Sequence, residues 1–218
     1  MASVSTLSPT MITLADLLDR LGGIPLHRIR IHPSPGTATV QDVLDLEQRE
    51  GKLFELVEGV LVEKAVGFIE SGLAGFLLGV LNAFVLPRNL GIVTGEAGTV
   101  ELMPGLVRIP DVAFTRWERL PGRRYPTAPI PRLAPNLAVE VLSQSNTPGE
   151  MAAKRQDYFT AGVELVWEID PDLRTVAVYT STTQVTSLTA ADTLEGGSVL
   201  PGFTLPLQEL FAELDRHG

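Results

Sequence analysis

The chain has no cysteine among its 218 residues. That absence removes disulfides, zinc ribbons, iron–sulfur ligation and thiol nucleophiles together, and it is compatible with a reducing cytoplasm, the expected location. Histidine is scarce. His27, His32 and His217 lie near the two ends of the chain, with no spacing that suggests a shared metal. No G-x-x-x-x-G-K-[ST] phosphate loop, H-E-x-x-H or G-x-S-x-G is present. Chemistry is left to carboxylates, lysine, arginine and hydroxyls, a set that suits hard cations held by oxygen. Long apolar runs are missing too. Gly72–Leu86 spans fifteen residues with Asn82 inside it, short of the ~20 that a membrane helix needs, so a buried helix and no membrane partner are expected. The segment before Arg20 has no basic residue and no unbroken apolar run, which argues against a secretory signal.

What is present is ordinary globular material, 44% hydrophobic and 20% charged, with 17 basic against 26 acidic residues and a net charge of −9. Residues 1–52 read as a helical arm. Thr13 and Thr39 can each cap a helix, the first stopped by Gly22-Gly23 and the second by Gly51, and between them His27–Pro33 reads as an alternating basic strip outside the core. Residues 53–218 read as one domain. It opens on a hairpin across Glu58-Gly59, continues with a helix over 68–86, and then places strands near 91–94, 99–102 and 107–115. A proline- and arginine-rich loop fills 116–135. Leu137–Leu142 has the near-continuous apolar pattern of a central strand. Thr147-Pro148-Gly149-Glu150 then starts a helix ending at Gly162, followed by strands over 165–169 and 175–179, a hairpin around Gly196-Gly197 and a short final helix. Strand, helix, strand within about 33 residues makes a βαβ unit, so the class is α/β with a mixed sheet.

Three acids stand where apolar residues are expected. Glu70 shares a helical face with Leu73, Ala74, Leu77 and Leu81; Glu140 is the one charge in Leu137–Leu142; Asp111 follows Pro110 within Val107–Phe114. Unpaired buried carboxylates are costly, so such groups pair or bind metal. Other readings stay open: Glu70 suits a first helical turn by the dipole alone, Asp111 can fix a turn, and Glu140 can pair with Arg155. Lys154 lies at the edge of its helix's apolar face, four residues before Tyr158. It can swing its ammonium inward or lie in solvent, and Arg155 competes for the same inward role.

The run Ile109-Pro110-Asp111-Val112-Ala113, then Leu137-Ala-Val-Glu140-Val-Leu-Ser143, then Lys154, Tyr158, Ala161-Gly162-Val163, Val166-Trp167, Asp170-Pro171 and the closing Leu200-Pro-Gly-Phe203 resembles the Uma-two-type family of restriction endonucleases, within the PD-(D/E)XK nuclease superfamily. The resemblance covers roughly Leu53 to Phe211 and implies a restriction-endonuclease-like αβββαβ core. It implies that Glu70, Asp111 and Glu140 bind Mg²⁺ or Mn²⁺, that the main-chain carbonyl of Val141 completes the shell, and that Lys154 serves with them in catalysis. The superfamily's lysine two residues after the second acid is here Leu142, and Lys154 from the next helix would fill its place. The implied function is Mg²⁺-dependent hydrolysis of DNA phosphodiesters. An inactive nuclease-like module for binding or assembly is the alternative, favoured by Leu142 and by the acidic charge.

For DNA contact the sequence offers Arg116, Arg119, Arg123, Arg124 and Arg132 in one loop with Trp117 and Tyr125 interleaved, and Tyr158 beside the expected centre. Gly72, Gly75 and Gly79 on the helix over 68–86 would let a second helix approach closely, so a homodimer is expected; packing within the chain accounts for the same glycines.

Overall fold

The computed structural model describes residues 13–65 and 67–216; the first twelve residues of the expected arm and His217 lie outside them. Helix α1 (Leu14–Arg20) begins at a capping box between Thr13 and Asp16. Helix α2 (Val40–Glu50) repeats the device with Thr39 and Asp42 and ends at Gly51, whose φ is 65°. Strands β1 (Phe54–Val57) and β2 (Val60–Glu63) form the expected hairpin. Its turn residues Glu58 and Gly59 both have positive φ, 50° and 73°, as a tight turn matched to the strand twist requires.

Both helices bury their apolar faces on this hairpin. Leu17, Leu21, Ile24 and Ile29 cluster with Val57, Val60 and Val62, while Val43 and Leu46 pack with Phe54, Leu56, Leu61 and Val107. The basic strip is therefore corrected: Ile29 bridges Val62, and Arg28, 5% exposed, binds Glu150 through two hydrogen bonds of 2.8 and 3.0 Å. An arginine reads as exposed until its buried partner is known, and Glu150 lies 122 residues away.

Helix α3 (Phe68–Arg88) has 21 residues, long and apolar enough by length and composition to cross a membrane. Here it lays Leu73, Ala74, Leu77, Leu81 and Val85 on the sheet. Strands β3 (Gly91–Thr94), β4 (Val100–Met103), β5 (Leu106–Arg108), β6 (Val112–Arg116) and β7 (Leu137–Val141) follow. Then come α4 (Pro148–Thr160), β8 (Leu165–Asp170), β9 (Thr175–Tyr179), β10 (Val185–Thr189), the hairpin of β11 (Thr193–Glu195) with β12 (Thr204–Pro206), and α5 (Leu207–Ala212).

A four-stranded sheet has the order β2-β1-β5-β4 and a six-stranded sheet the order β10-β9-β8-β7-β6-β3. The strand expected over 107–115 is thus two strands in two sheets. Pro110 has no N–H to give a ladder, and at Ile109-Pro110-Asp111 the chain passes from one sheet to the other. In the six-stranded sheet β7 and β8 are parallel, joined by α4 as the βαβ reading requires. One face, with Val139, Trp167 and Ile169, packs on α3 and α5; the other, with Ala138 and Val166, packs on Tyr158 and Val163.

Candidate active site

The passage between the sheets places Asp111. Its N–H donates to the Val139 carbonyl at 2.9 Å, and its Oδ2 accepts the Val141 N–H at 2.7 Å. Held at both points, Asp111 sits against the end of β7 beside Glu140. Its Oδ1 lies 2.9 Å from the Nζ of Lys64, just beyond β2. That ammonium also donates to the carbonyls of Ile109 at 2.6 Å and Glu96 at 3.3 Å.

Glu140 faces α4. Lys154 Nζ donates to its Oε2 at 3.0 Å and reaches Glu55 Oε1 at 3.1 Å. Tyr158, one turn further along α4, donates its hydroxyl to Glu140 Oε1. Glu55 in turn takes Arg108 at 2.7 Å on Oε2 and the Ile109 N–H at 3.2 Å on Oε1, and Arg108 continues to Asp157. An alternating chain of charge thus runs Asp157, Arg108, Glu55, Lys154, Glu140, with four of these five side chains almost wholly buried. Helix α4 supplies Lys154, Asp157 and Tyr158 from one side.

The two central carboxylates are driven apart by their surroundings. Burial pushes Glu140 up, the negative charges of Asp111 and Glu55 add to it, and the Lys154 and Lys64 ammoniums only partly offset this, leaving it at about 7. Burial acts on Glu55 in the same direction, but Lys154 and Arg108 outweigh it and hold Glu55 down at about 2. Lys154 is raised, because Glu140 and Glu55 more than offset its desolvation. Burial and the adjacent Glu140 raise Tyr158 well above its ordinary value. A buried carboxyl raised by its surroundings beside a fixed ammonium marks a candidate functional site, and structural ion networks raise carboxyls in the same way.

The structure brings together Asp111, Glu140, Lys154 and Tyr158, with Val141 donating its N–H rather than standing apart. The choice between Lys154 and Arg155 falls to Lys154, since Arg155 binds Glu168 at 2.7 and 3.0 Å and lies over the Tyr179 ring. Glu70 is not brought in. Its carboxylate folds back on Gly67, where a Cβ would lie 1.9 Å from Oε2, and among the described residues no three acids or histidines are grouped to hold one ion. Tyr158 is corrected as a nucleic-acid contact: it is 0% exposed and hydrogen-bonded to Glu140, so no base can reach it.

The arginine loop is corrected in part, at Arg116 and Arg119. It issues from the far end of β6, roughly 16 Å of strand from Asp111 at about 3.3 Å per residue. Arg116 binds Glu164 and the carbonyls of Ser198 and Val199. Arg119 binds Glu164 and the carbonyls of Ala134, Pro135 and Gly162. Arg132 pairs with Glu101 and Arg123 with Glu118, while Arg124 is exposed. Composition cannot tell a guanidinium that binds phosphate from one that ties down loop carbonyls.

Sequence reasoning missed Glu55, Lys64 and Arg108. Glu55 carries the signal that marked Glu140, a lone acid inside an apolar strand, Leu53-Phe-Glu-Leu-Val57; nothing local marks Lys64.

Asp111, its side chain 13% exposed, opens into a cleft of about 490 Å³ lined by Ser71, Gly75, Leu78 and the turn Thr94–Gly98. Asp111 at the cleft and Glu140 buried beside it, with hard oxygen donors and no sulfur or imidazole, fit Mg²⁺ or Mn²⁺; they offer an ion two protein ligands, not three. Such a pair at the ends of β6 and β7, with a lysine alongside and helices on both sheet faces, defines a restriction-endonuclease-like α/β fold. Residues 40–208 match the model of the Uma2 family, described as "Putative restriction endonuclease", and the chain belongs to that family. In fold it is similar to a crystal structure described as "a putative nuclease belonging to DUF820" from Anabaena variabilis, with a TM-score of 0.70 and 23% identity over 81% of this chain and 98% of that one. No curated protein matches the chain.

Proposed function

We propose that the chain is a metal-dependent endonuclease that hydrolyses DNA phosphodiesters, with Asp111 and Glu140 holding Mg²⁺ or Mn²⁺ at the floor of the cleft. The observation that carries this reading is the position of Lys154. The superfamily pattern wants an ammonium beside the second acid, Leu142 removes it from the strand, and α4 returns it at 3.0 Å from Glu140.

Bound there, the ion supplies a water of lowered pKa and positive charge against the phosphate. The chain's own residues do the rest. Asp111 is fixed by two backbone hydrogen bonds, so its oxygens need no reorganisation when an ion arrives. Lys154 stays charged between two carboxylates and gives a positive field where negative charge builds on phosphate. Tyr158 orients Glu140 from the opposite oxygen. Glu55, ionised throughout the neutral range, holds Lys154 directly and is itself held by Arg108.

The test is cleavage of supercoiled plasmid and single-stranded DNA with Mg²⁺ or Mn²⁺. Cutting should require the metal, stop with EDTA, and fall at least a hundredfold in Asp111→Ala shown by near-ultraviolet circular dichroism to be folded at the assay temperature. Equal cutting by Asp111→Ala overturns the reading.

We propose further that two copies pair through the outer face of α3. A Cβ built on Gly72, Gly75 or Gly79 meets nothing within 4 Å, so packing within the chain does not account for these glycines. On the same helix Phe68, Ile69 and Leu86 are 97%, 54% and 63% exposed.

A further inference from the structure

Lys64 is the cation at this centre that neither the fold nor the proposed chemistry asks for. Its ammonium has three N–H groups and three oxygens around it: Asp111 Oδ1 at 2.9 Å, the Ile109 carbonyl at 2.6 Å and the Glu96 carbonyl at 3.3 Å. The residue is 8% exposed. One carboxylate and two carbonyls are the donor set of a hard cation, and here an ammonium sits in it. Every N–H has an acceptor, so swinging the side chain out would strand the buried Ile109 carbonyl and an acid. Lys64 is thus a fixture and not a plug.

Many two-metal phosphodiesterase centres hold their ions about 3.5–4 Å apart on a shared carboxylate. At Asp111 one side of that arrangement is filled. Oδ1 faces Lys64, Oδ2 takes the Val141 N–H, and a carboxylate's remaining lone pairs leave room on the Glu140 side.

We infer that Lys64 is a built-in cation: its ammonium fills one of the two cation positions at Asp111, and the centre takes a single divalent ion per chain. The inference rests on the reading of Asp111 and Glu140 as metal ligands. Lys64 acts through Asp111 and the Gly95–Gly98 turn and is a positioning residue; its three N–H groups are spent on the protein.

The experiment counts Mn²⁺ bound per chain by isothermal titration and by electron paramagnetic resonance, taking as relevant the ions lost in Asp111→Ala. Wild type should bind one. Lys64→Ala frees three oxygens and should bind two, the added ion giving the broadened resonance of a coupled pair. Two Asp111-dependent ions in wild type, or one in folded Lys64→Ala, overturn the inference while leaving the metal-ligand reading intact. No Asp111-dependent Mn²⁺ in wild type removes both. Where Lys64→Ala does not fold, the wild-type count decides alone, because one ion supports the inference and two contradict it.

Discussion

Glu55 decides how much of this site is held together before any ligand arrives. It is 1% exposed and, among the described residues, carries the one carboxylate that joins Arg108 to Lys154. Removing one member of a buried ionic network leaves the others charged and unpaired, at a cost of about 3–5 kcal/mol. Glu55→Ala should therefore unfold at lower urea by that amount, with an unchanged m-value, whereas an exposed acid such as Glu118→Ala should shift stability by under about 0.5 kcal/mol. Glu140 makes a prediction of opposite sign in pH. Its carboxyl, at about 7 in the fold against about 4.3 in an unfolded chain, binds more protons folded than unfolded between those values. Its contribution to stability is full below the lower value and is lost as pH rises through the upper one, with a slope of at most about 1.4 kcal/mol per pH unit. Glu55 is ionised in both states above about pH 5 and adds no slope there. Urea melts of metal-free protein from pH 5 to 8 should show that fall, and Glu140→Gln should flatten it; an identical slope in the variant would contradict the assignment.

At the level of elements, α4 is what the arm holds. Gly22 and Gly149 approach so closely that a Cβ on Gly22 would lie 2.3 Å from the Gly149 carbonyl carbon, and Thr147, the cap of α4, donates its hydroxyl to the Gly22 carbonyl. Arg28 clamps Glu150 in the first turn of the same helix and reaches the Glu63 carbonyl at 2.9 Å, next to Lys64. The arm thereby sets the position of both lysines at the centre. Arg28→Met should cost about 3–5 kcal/mol by stranding Glu150 and should speed amide exchange in α4 more than in α3; uniform exchange would show that the arm does not anchor α4. Much of this level was legible in the chain. Both capping boxes and the Glu58-Gly59 turn are written within four residues, and the two buried strands Leu137–Val141 and Leu165–Asp170 follow from apolar runs. The split at Pro110 was half legible, since proline signals a break but not a change of sheet. Lys64 was not, because its partner Ile109 is 45 residues away; Glu55 was marked as a lone acid in an apolar strand, but its partner Arg108 is 53 residues away. Arg116 and Arg119 misled for the same reason: their acceptors lie on Glu164 and on Ser198 and Val199, far along the chain.

For the molecule as a whole, the exposed apolar face of α3, a helix expected to be buried, is the feature that the sequence concealed. Pairing through α3 predicts twice the 23.5 kDa chain mass by light scattering at micromolar concentration, reduced to one chain by Gly79→Glu; a 23.5 kDa wild type would contradict it. The net charge of −9 opposes a polyanion, so cleavage should depend steeply on divalent ion, and moderate added monovalent salt should screen that repulsion and not abolish cutting. The central claim is that α4 replaces the lysine missing after Glu140, and that Lys154 rather than Arg155 does so. Single-turnover DNA cleavage in Mn²⁺ by Lys154→Gln and Arg155→Gln, each shown folded by near-ultraviolet circular dichroism, tests it most directly. The predicted result is a loss of roughly 10²–10³-fold in Lys154→Gln and less than about threefold in Arg155→Gln. Equal rates in the two variants, or the larger loss at Arg155, would contradict it.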